Sequence, residues 1–188
     1  YADLNQRFVN EEAEQAKKET LLSLKDASGA GTIDSISLDI NRGEVLGLSG
    51  LLGSGRSEIV RLIFSVDRLN GGEMDLKGEK IHNRSTLAAI RKGFAFCPEN
   101  RKTEGIVGDL SIRDNIILAL QAKRGMFRAI SKAEAQKLAD EFIEKLEIKT
   151  PSADQLIKNL SGGNQQKVIL ARWMATNPDL LMLDEPTR

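Results

Sequence analysis

Leu160–Lys167 reads LSGGNQQK, a serine followed by two glycines at the start of a helical segment. In that position the Ser161 hydroxyl and the backbone N–H groups of Gly162 and Gly163 can face an anion, because a helix N-terminus carries unpaired donors and a partial positive charge. A helix N-cap with no other purpose has the same form. The string alone leaves both readings open, and the order of the surrounding segments has to decide between them.

On the C-terminal side the pattern predicts a helix over about 164–176 and then the apolar strand Leu180–Leu183. The strand runs into Asp184 and Glu185, and Pro186 forbids it from continuing. Four apolar residues in a row predict burial in a parallel sheet, whose C-terminal edge is where ligands gather in such folds. Asp184 is expected to orient Mg²⁺ through water and Glu185 to polarise an attacking water. Acids that merely cap a buried strand are the plainer alternative.

On the N-terminal side Gly50–Ser57 reads GLLGSGRS, the phosphate-loop pattern GxxxxGK[ST] with Arg56 where lysine is expected. Glycines suit such a loop because backbone N–H groups must turn inward around phosphate oxygens. The candidate cradle is Gly50, Leu51, Leu52, Gly53, Ser54, Gly55, Arg56, Ser57 and Glu58, with the Ser57 hydroxyl on Mg²⁺. Arg56 keeps the positive charge but replaces a compact ammonium with a wide planar fork, so binding should survive better than turnover. A glycine-rich turn that only packs a helix against a strand is the alternative. Val45–Leu48, read as a short buried strand, followed by the loop and the helical segment Ile59–Phe64, gives a strand, loop, helix order that favours the phosphate loop.

The intervening sequence predicts an antiparallel flank of Leu21–Leu24 and Ile33–Ile40, separated by the turn-prone Ser28–Gly31. It also predicts a small hairpin over Gly71–Ile81 centred on Gly78, and a strand Phe94–Cys97 before Pro98. From Ser111 onward helical signals dominate. SIRD and SKAE mark Ser111 and Ser131 as N-caps, and Leu138, Phe142 and Leu146 line one helix face beside Ala135 and Ala139. Residues 10–20 are polar, without an apolar stripe, and read as linker or surface helix.

With 188 residues, 40% hydrophobic and 29% charged, the chain can bury one substantial core. Lys plus Arg and Asp plus Glu are 27 each, so no global field attracts nucleic acid or an anionic membrane. Cys97 is the single cysteine, which excludes an intrachain disulfide and fits a reducing compartment. No apolar run approaches the roughly 20 residues that span a bilayer. Tyr1 in place of Met, and an end just past Asp184 and Glu185, read as cut termini of a longer protein.

Phosphate loop, helical insert, LSGGNQQ and acidic strand follow one another in the order of an ATP-binding cassette, which the chain resembles over essentially its whole length. GEVLGLSGLLGSGRSE, FCPENRKTEG, LSGGNQQK and LMLDEPTR together look like the second cassette of the tandem ATPases that drive bacterial sugar importers of the ribose and galactose type. DLNQRF is similar to the linker between their cassettes. FCPENRKTEGI, RDNIILALQAKRG and IKTPSADQ look closest to galactofuranose importers.

The resemblance implies an α/β P-loop NTPase fold: a RecA-like core, an antiparallel β flank and an inserted α-helical subdomain over about 108–160, truncated after the Walker B strand. Residues 1–20 would be the inter-cassette linker and 21–188 an incomplete ATP-binding domain. It implies two cassettes head to tail, with each ATP between one phosphate loop and the other's signature. Ser161, Gly162, Gly163 and Gln165 would then complete a site whose phosphate loop lies in the partner cassette, in the N-terminal half of the same longer chain. Membrane permease subunits and, indirectly, a periplasmic sugar-binding protein are the other implied partners, at the cytoplasmic face of the inner membrane. Nucleic acid is not among them.

Two departures from the family pattern weaken the chain's own site. Arg56 replaces the lysine, and Glu99 stands where most cassettes have the glutamine that contacts membrane subunits and senses the γ-phosphate. A carboxylate there repels triphosphate unless Mg²⁺ or a base such as Arg101 or Lys102 compensates, which suggests a slow, regulatory site. Glu99 simply paired with those bases at the surface is the alternative. No aromatic residue lies in Ala27–Gly31 to stack on adenine, so adenine affinity should be weaker than usual. The family's switch histidine would lie beyond Arg188, and His82 reads as an exposed turn residue. The fragment alone is expected to hydrolyse ATP poorly. A soluble cassette ATPase of DNA repair or translation, and a purely regulatory nucleotide-binding half, are the competing readings.

Overall fold

The structure, a computed structural model, describes residues 19–29, 33–51, 53–82, 84–125 and 127–185. The linker reading of 1–20 therefore falls outside the described residues except at Glu19 and Thr20. The chain divides into two units, 1–62 with 67–82, and 63–66 with 83–188.

In the first unit the apolar run Leu21–Leu24 forms the middle of β1 (Thr20–Gly29). It pairs antiparallel on one side with β2 (Ile36–Asn41) and on the other with β3 (Leu69–Leu76), beyond which lies β4 (Glu79–Lys80). Leu22, Leu24 and Ala27 are buried with Ile40, Met74 and Leu76. Both ladders of β1 shift register around Asp26, whose φ is 48°; this is a bulge, and the Ser37 hydroxyl accepts the Asp26 N–H at 2.9 Å. The predicted hairpin is a two-residue turn, Lys77 (φ 54°) and Gly78 (φ 79°). Its positive φ values match the twist of the strands it joins.

One expected strand is absent. Among the described residues nothing pairs with Val45–Leu48, and Val45 is 97% exposed. Apolar composition marks a segment that can be buried, but a strand exists only where a neighbour satisfies its backbone donors and acceptors. The helix beyond the loop is α1 (Arg56–Phe64), and its Leu62 packs on β1, where a Cβ at Gly29 would lie 3.1 Å from Leu62 Cδ1.

The second unit holds β5 (Phe94–Cys97) and β6 (Leu180–Leu183), parallel, with Phe94 opposite Leu180 and Cys97 opposite Leu183. Around them come α2 (Thr86–Arg91), α3 (Ile112–Arg124), α4 (Lys132–Lys145) and α5 (Gly162–Met174). β5 is buried throughout. β6 is not, because Leu181 and Leu183 are 36% and 45% exposed and only Leu180 and Met182 face the core. Phe64 joins this core, 5.5 Å from the Phe96 ring and edge-on to Trp173 at 5.4 Å.

The predicted N-caps form. The Ser111 hydroxyl accepts the Asp114 N–H at 3.0 Å, and the Ser131 hydroxyl accepts the Glu134 N–H at 3.2 Å, contacts worth about 1 kcal/mol each. Ile112 and Ile116 of α3, Ala139 and Phe142 of α4, and Val168 and Ala171 of α5 close a helical core with Ala153, Ile157 and Leu160. The segment before the signature is pinned to α3, since Ile112 N donates to Gln155 O at 2.9 Å and Ile157 N to Leu110 O at 3.1 Å. Cys97 is fully buried and burial pushes its thiol up to about 12. It is therefore a small apolar core residue and not a nucleophile at neutral pH.

Candidate nucleotide site

The glycine-rich loop of the first unit needs its glycines for distinct reasons. Gly53 and Gly55 hold φ of 79° and 89°, which side chains disfavour. At Gly50 the reason is space, because an added Cβ would lie 2.4 Å from Ser54 Oγ. Ser54 N donates to Leu51 O at 3.0 Å and closes the turn, and Ile59 N donates to Gly55 O at 2.9 Å as α1 begins. Arg56, Ser57 and Glu58 occupy the first helical turn, half-buried. The Arg56 stem folds toward Gly50, with Cδ 3.8 Å from where that Cβ would be. Glu58 complements the positive end of α1, while Leu52 lies outside the described residues.

In the second unit the parallel register brings three predicted carboxylates to one sheet edge. Cys97 stands opposite Leu183, so Glu99 and the pair Asp184 and Glu185 both leave the sheet at its C-terminal end. Asp184 N donates to Cys97 O at 3.0 Å and extends the pairing by one residue. Glu185 follows in the left-handed region at φ 45°, a conformation that costs a glutamate about 1 kcal/mol or more and recurs at functional sites. Asp184 and Glu185 are half-buried and Glu99 is exposed. Past Glu99 the chain enters a π-helical turn, Arg101–Gly105, whose Thr103 N–H is accepted by Asn100 Oδ1 at 3.3 Å.

Ser161 stands at the N-cap of α5 by backbone geometry, yet its side chain makes no capping bond. Ser85, Ser111 and Ser131 each accept a first-turn N–H of their own helix; Ser161 accepts instead from Asn164 Nδ2 at 3.0 Å. Those three serines bond the N–H three residues on, which in α5 belongs to Asn164; the N–H groups of Gly162 and Gly163 lack an intrahelical acceptor because they open the helix. Asn164 was not singled out in the sequence. It also accepts the Lys149 N–H at 3.0 Å, and the signal that could have found it is its place three residues after an N-cap serine. Gln165, expected to reach nucleotide, turns its amide inward and donates to Ile157 O at 3.3 Å and Leu160 O at 3.2 Å.

Taken each by itself, the Ser57 hydroxyl and the Asp184 carboxylate are donors of the kind Mg²⁺ takes. A hydroxyl and a carboxylate are hard oxygen donors, and this ion keeps several waters and takes substrate phosphates in preference to an all-protein cage. Ser57 belongs to the first unit and Asp184 to the second.

The sequence pattern of the ABC transporter family matches residues 33–188. The galactofuranose transporter ATP-binding protein of Escherichia coli is 48% identical over 188 residues, covering 97% of this chain and 38% of its own length. The fructose import ATP-binding protein of Bifidobacterium longum is 46% identical over 168 residues, 89% of this chain and 33% of that protein. The ribose import ATP-binding protein of Clostridium tetani is 42% identical, with 92% and 34% covered. The chain thus spans about a third of the length of these relatives. Among solved structures, a dimeric ATP-binding cassette in a post-hydrolysis state with ADP and Pi has a TM-score of 0.76 at 26% identity, covering 89% of this chain and 75% of that one. A nucleotide-free cassette from an ABC transporter has a TM-score of 0.71 at 18% identity, covering 90% and 70%.

Proposed function

Because the chain belongs to the ABC transporter family, we propose that it is the ATP-binding, energy-coupling cassette of a bacterial sugar importer, and that its signature is its main contribution to turnover. The observation that carries this reading is the uncapped Ser161. A serine at a helix N-terminus whose hydroxyl bonds no N–H of its own helix is arranged for an external anion, here the γ-phosphate of ATP held by a partner cassette. Relatives named for galactofuranose, fructose and ribose import support the sugar class. The partner cassette would lie in the N-terminal half of the same longer chain. The assembly would sit on permease subunits at the cytoplasmic face and be served by a periplasmic sugar-binding protein. Among the described residues no helix is long and apolar enough to cross a membrane, so permease subunits would supply the crossing.

The residues divide the work as follows. Asn164 donates to Ser161 Oγ, which occupies an oxygen lone pair and leaves the hydroxyl proton free to donate to phosphate. Gly162 and Gly163 add backbone donors, and Gln165 holds the carbonyls of Ile157 and Leu160, which fixes the angle at which the chain enters α5. At the chain's own loop, Gly50–Ser57 would cradle phosphates, and Ser57 and Asp184 are the residues that would hold Mg²⁺. Mg²⁺ when bound neutralises charge on the phosphate oxygens. Glu185 polarises water, while Arg56 and Glu99 make this site slow and regulatory.

Two measurements test the reading. Affinity purification of the full-length protein from membranes should recover permease subunits; recovery of nucleic acid instead would favour a soluble cassette ATPase. Arg56→Lys should tighten nucleotide binding and raise turnover at this site, by about 3-fold to 10-fold. Titration with a fluorescent ATP analogue and steady-state ATPase rates check this, and unchanged values would refute the account of Arg56.

A further inference from the structure

Arg172, in the last turn of α5, is only 6% exposed. Its guanidinium donates three times, from Nε to Asn115 O at 2.7 Å, from Nη2 to Asn115 Oδ1 at 2.7 Å and from Nη1 to Gly105 O at 2.5 Å. Asn115 is fully buried in α3. Its Nδ2 donates to the carbonyls of Val107, Leu110 and Ser111, and its Oδ1 also accepts the Val107 N–H. Every acceptor of the buried cation is neutral. Burial pulls Arg172 down to about 10, which still leaves it charged at neutral pH.

Stability alone does not account for such a group, because a buried charge is often replaced by an apolar side chain without loss. What the network does is geometric. The π-helical turn after Glu99 lies against α5 at two glycines, each covered by a side chain of the other element: Arg101 of the turn sits on Gly162, and Ile169 of α5 sits on Gly105. A Cβ at Gly162 would meet Arg101 Nη2 at 2.8 Å, and a Cβ at Gly105 would meet Ile169 Cδ1 at 2.6 Å. Arg172 then ties the last carbonyl of the turn to the far end of the same helix, and Asn115 ties both to α3.

We infer that Arg172, together with Asn115, is a positioning residue that locks the turn following Glu99 to the signature helix, so that displacement of the Glu99 segment reaches Ser161, Gly162 and Gly163 as a rigid movement. The inference rests on the reading of Glu99 as a permease contact and of the signature as a phosphate site. It differs from that reading in naming a residue that touches neither nucleotide nor permease.

The test uses the full-length protein assembled with its permease in lipid, with ATPase rates normalised to folded protein and measured with and without sugar-loaded binding protein. Arg172→Lys keeps the charge but cannot make three fixed bonds. It should lower kcat by about 10-fold to 100-fold, hold KM for ATP within about 2-fold, and abolish sugar stimulation. Asn115→Ala should do the same, and the double variant should be no worse than the more damaging single one. Should Arg172→Lys not fold, Asn115→Ala with Arg172 intact carries the same expectation. A lower Tm with normal kcat and normal stimulation would overturn the inference, as would additive losses. Ser161→Arg serves as the control. If it is damaging while Arg172→Lys is harmless, the positioning role fails and the signature reading stands; if both are harmless, the signature reading fails too.

Discussion

Ser161→Arg in the full-length protein is expected to lower ATP turnover by about 100-fold or more, whereas Glu185→Gln is expected to lower it by only about 2-fold to 3-fold. The first figure follows from what the substitution removes and adds. It deletes the hydroxyl oriented by Asn164, and it sets a bulky cation at the mouth of the two uncapped donors, where a γ-phosphate must approach within hydrogen-bond distance. Loss of a single oriented donor to developing charge commonly slows an enzyme by about 100-fold to 1000-fold. On the proposed reading Glu185 belongs to a site that Arg56 and Glu99 would weaken, so removing its charge would subtract from a small share of the total. Steady-state ATPase assays of the two variants at saturating ATP decide the matter. Equal losses would mean that both sites turn over alike and that the proposed asymmetry is wrong.

Gly72→Ala is expected to have the largest effect on folding of any single methyl addition in the first unit. Gly72 sits at φ 78°, and a Cβ there would lie 2.2 Å from Asp26 O, 2.4 Å from Asp26 C and 2.4 Å from Lys25 O. These are backbone atoms of β1 at its bulge, so no rotamer change relieves the clash. Either β3 separates from β1 or the bulge unfolds. A left-handed backbone for alanine costs about 1 to 3 kcal/mol and overpacking against fixed atoms about 1 to 3 kcal/mol more. Together they take a large part of a domain's stability. Urea unfolding followed by circular dichroism should show a lower midpoint, and a midpoint equal to wild type would show that the bulge yields freely.

Much of the fold could be read from the residues because the signals were local. Ser111 and Ser131 cap the helices they announce, Gly78 turns the hairpin it centres, and Phe94–Cys97 is a strand to the residue. Signals that depended on a neighbour misled. Val45–Leu48 has the composition of a buried strand but finds no described partner, and Leu181 and Leu183 look as buried as Leu180 while facing outward. At the site, the motif residues were legible as chemistry, but their division of labour was not. Nothing local distinguishes Ser161, which does not cap, from Ser111, which does. Arg172 reads as an ordinary basic residue in a last helical turn, and its partner Asn115 lies 57 residues away.

The five-residue turn Arg101–Gly105 has two faces with opposite tolerances. Against α5 an added Cβ would meet the Arg101 guanidinium at Gly162 and Ile169 Cδ1 at Gly105, so an atom added on that seam makes one of those two side chains move. Lys102, Thr103 and Glu104 are exposed on the other side, where side chains face solvent. On the proposed reading, the exposed side of this short segment is the part that can change with the permease while the side held by the signature helix stays the same.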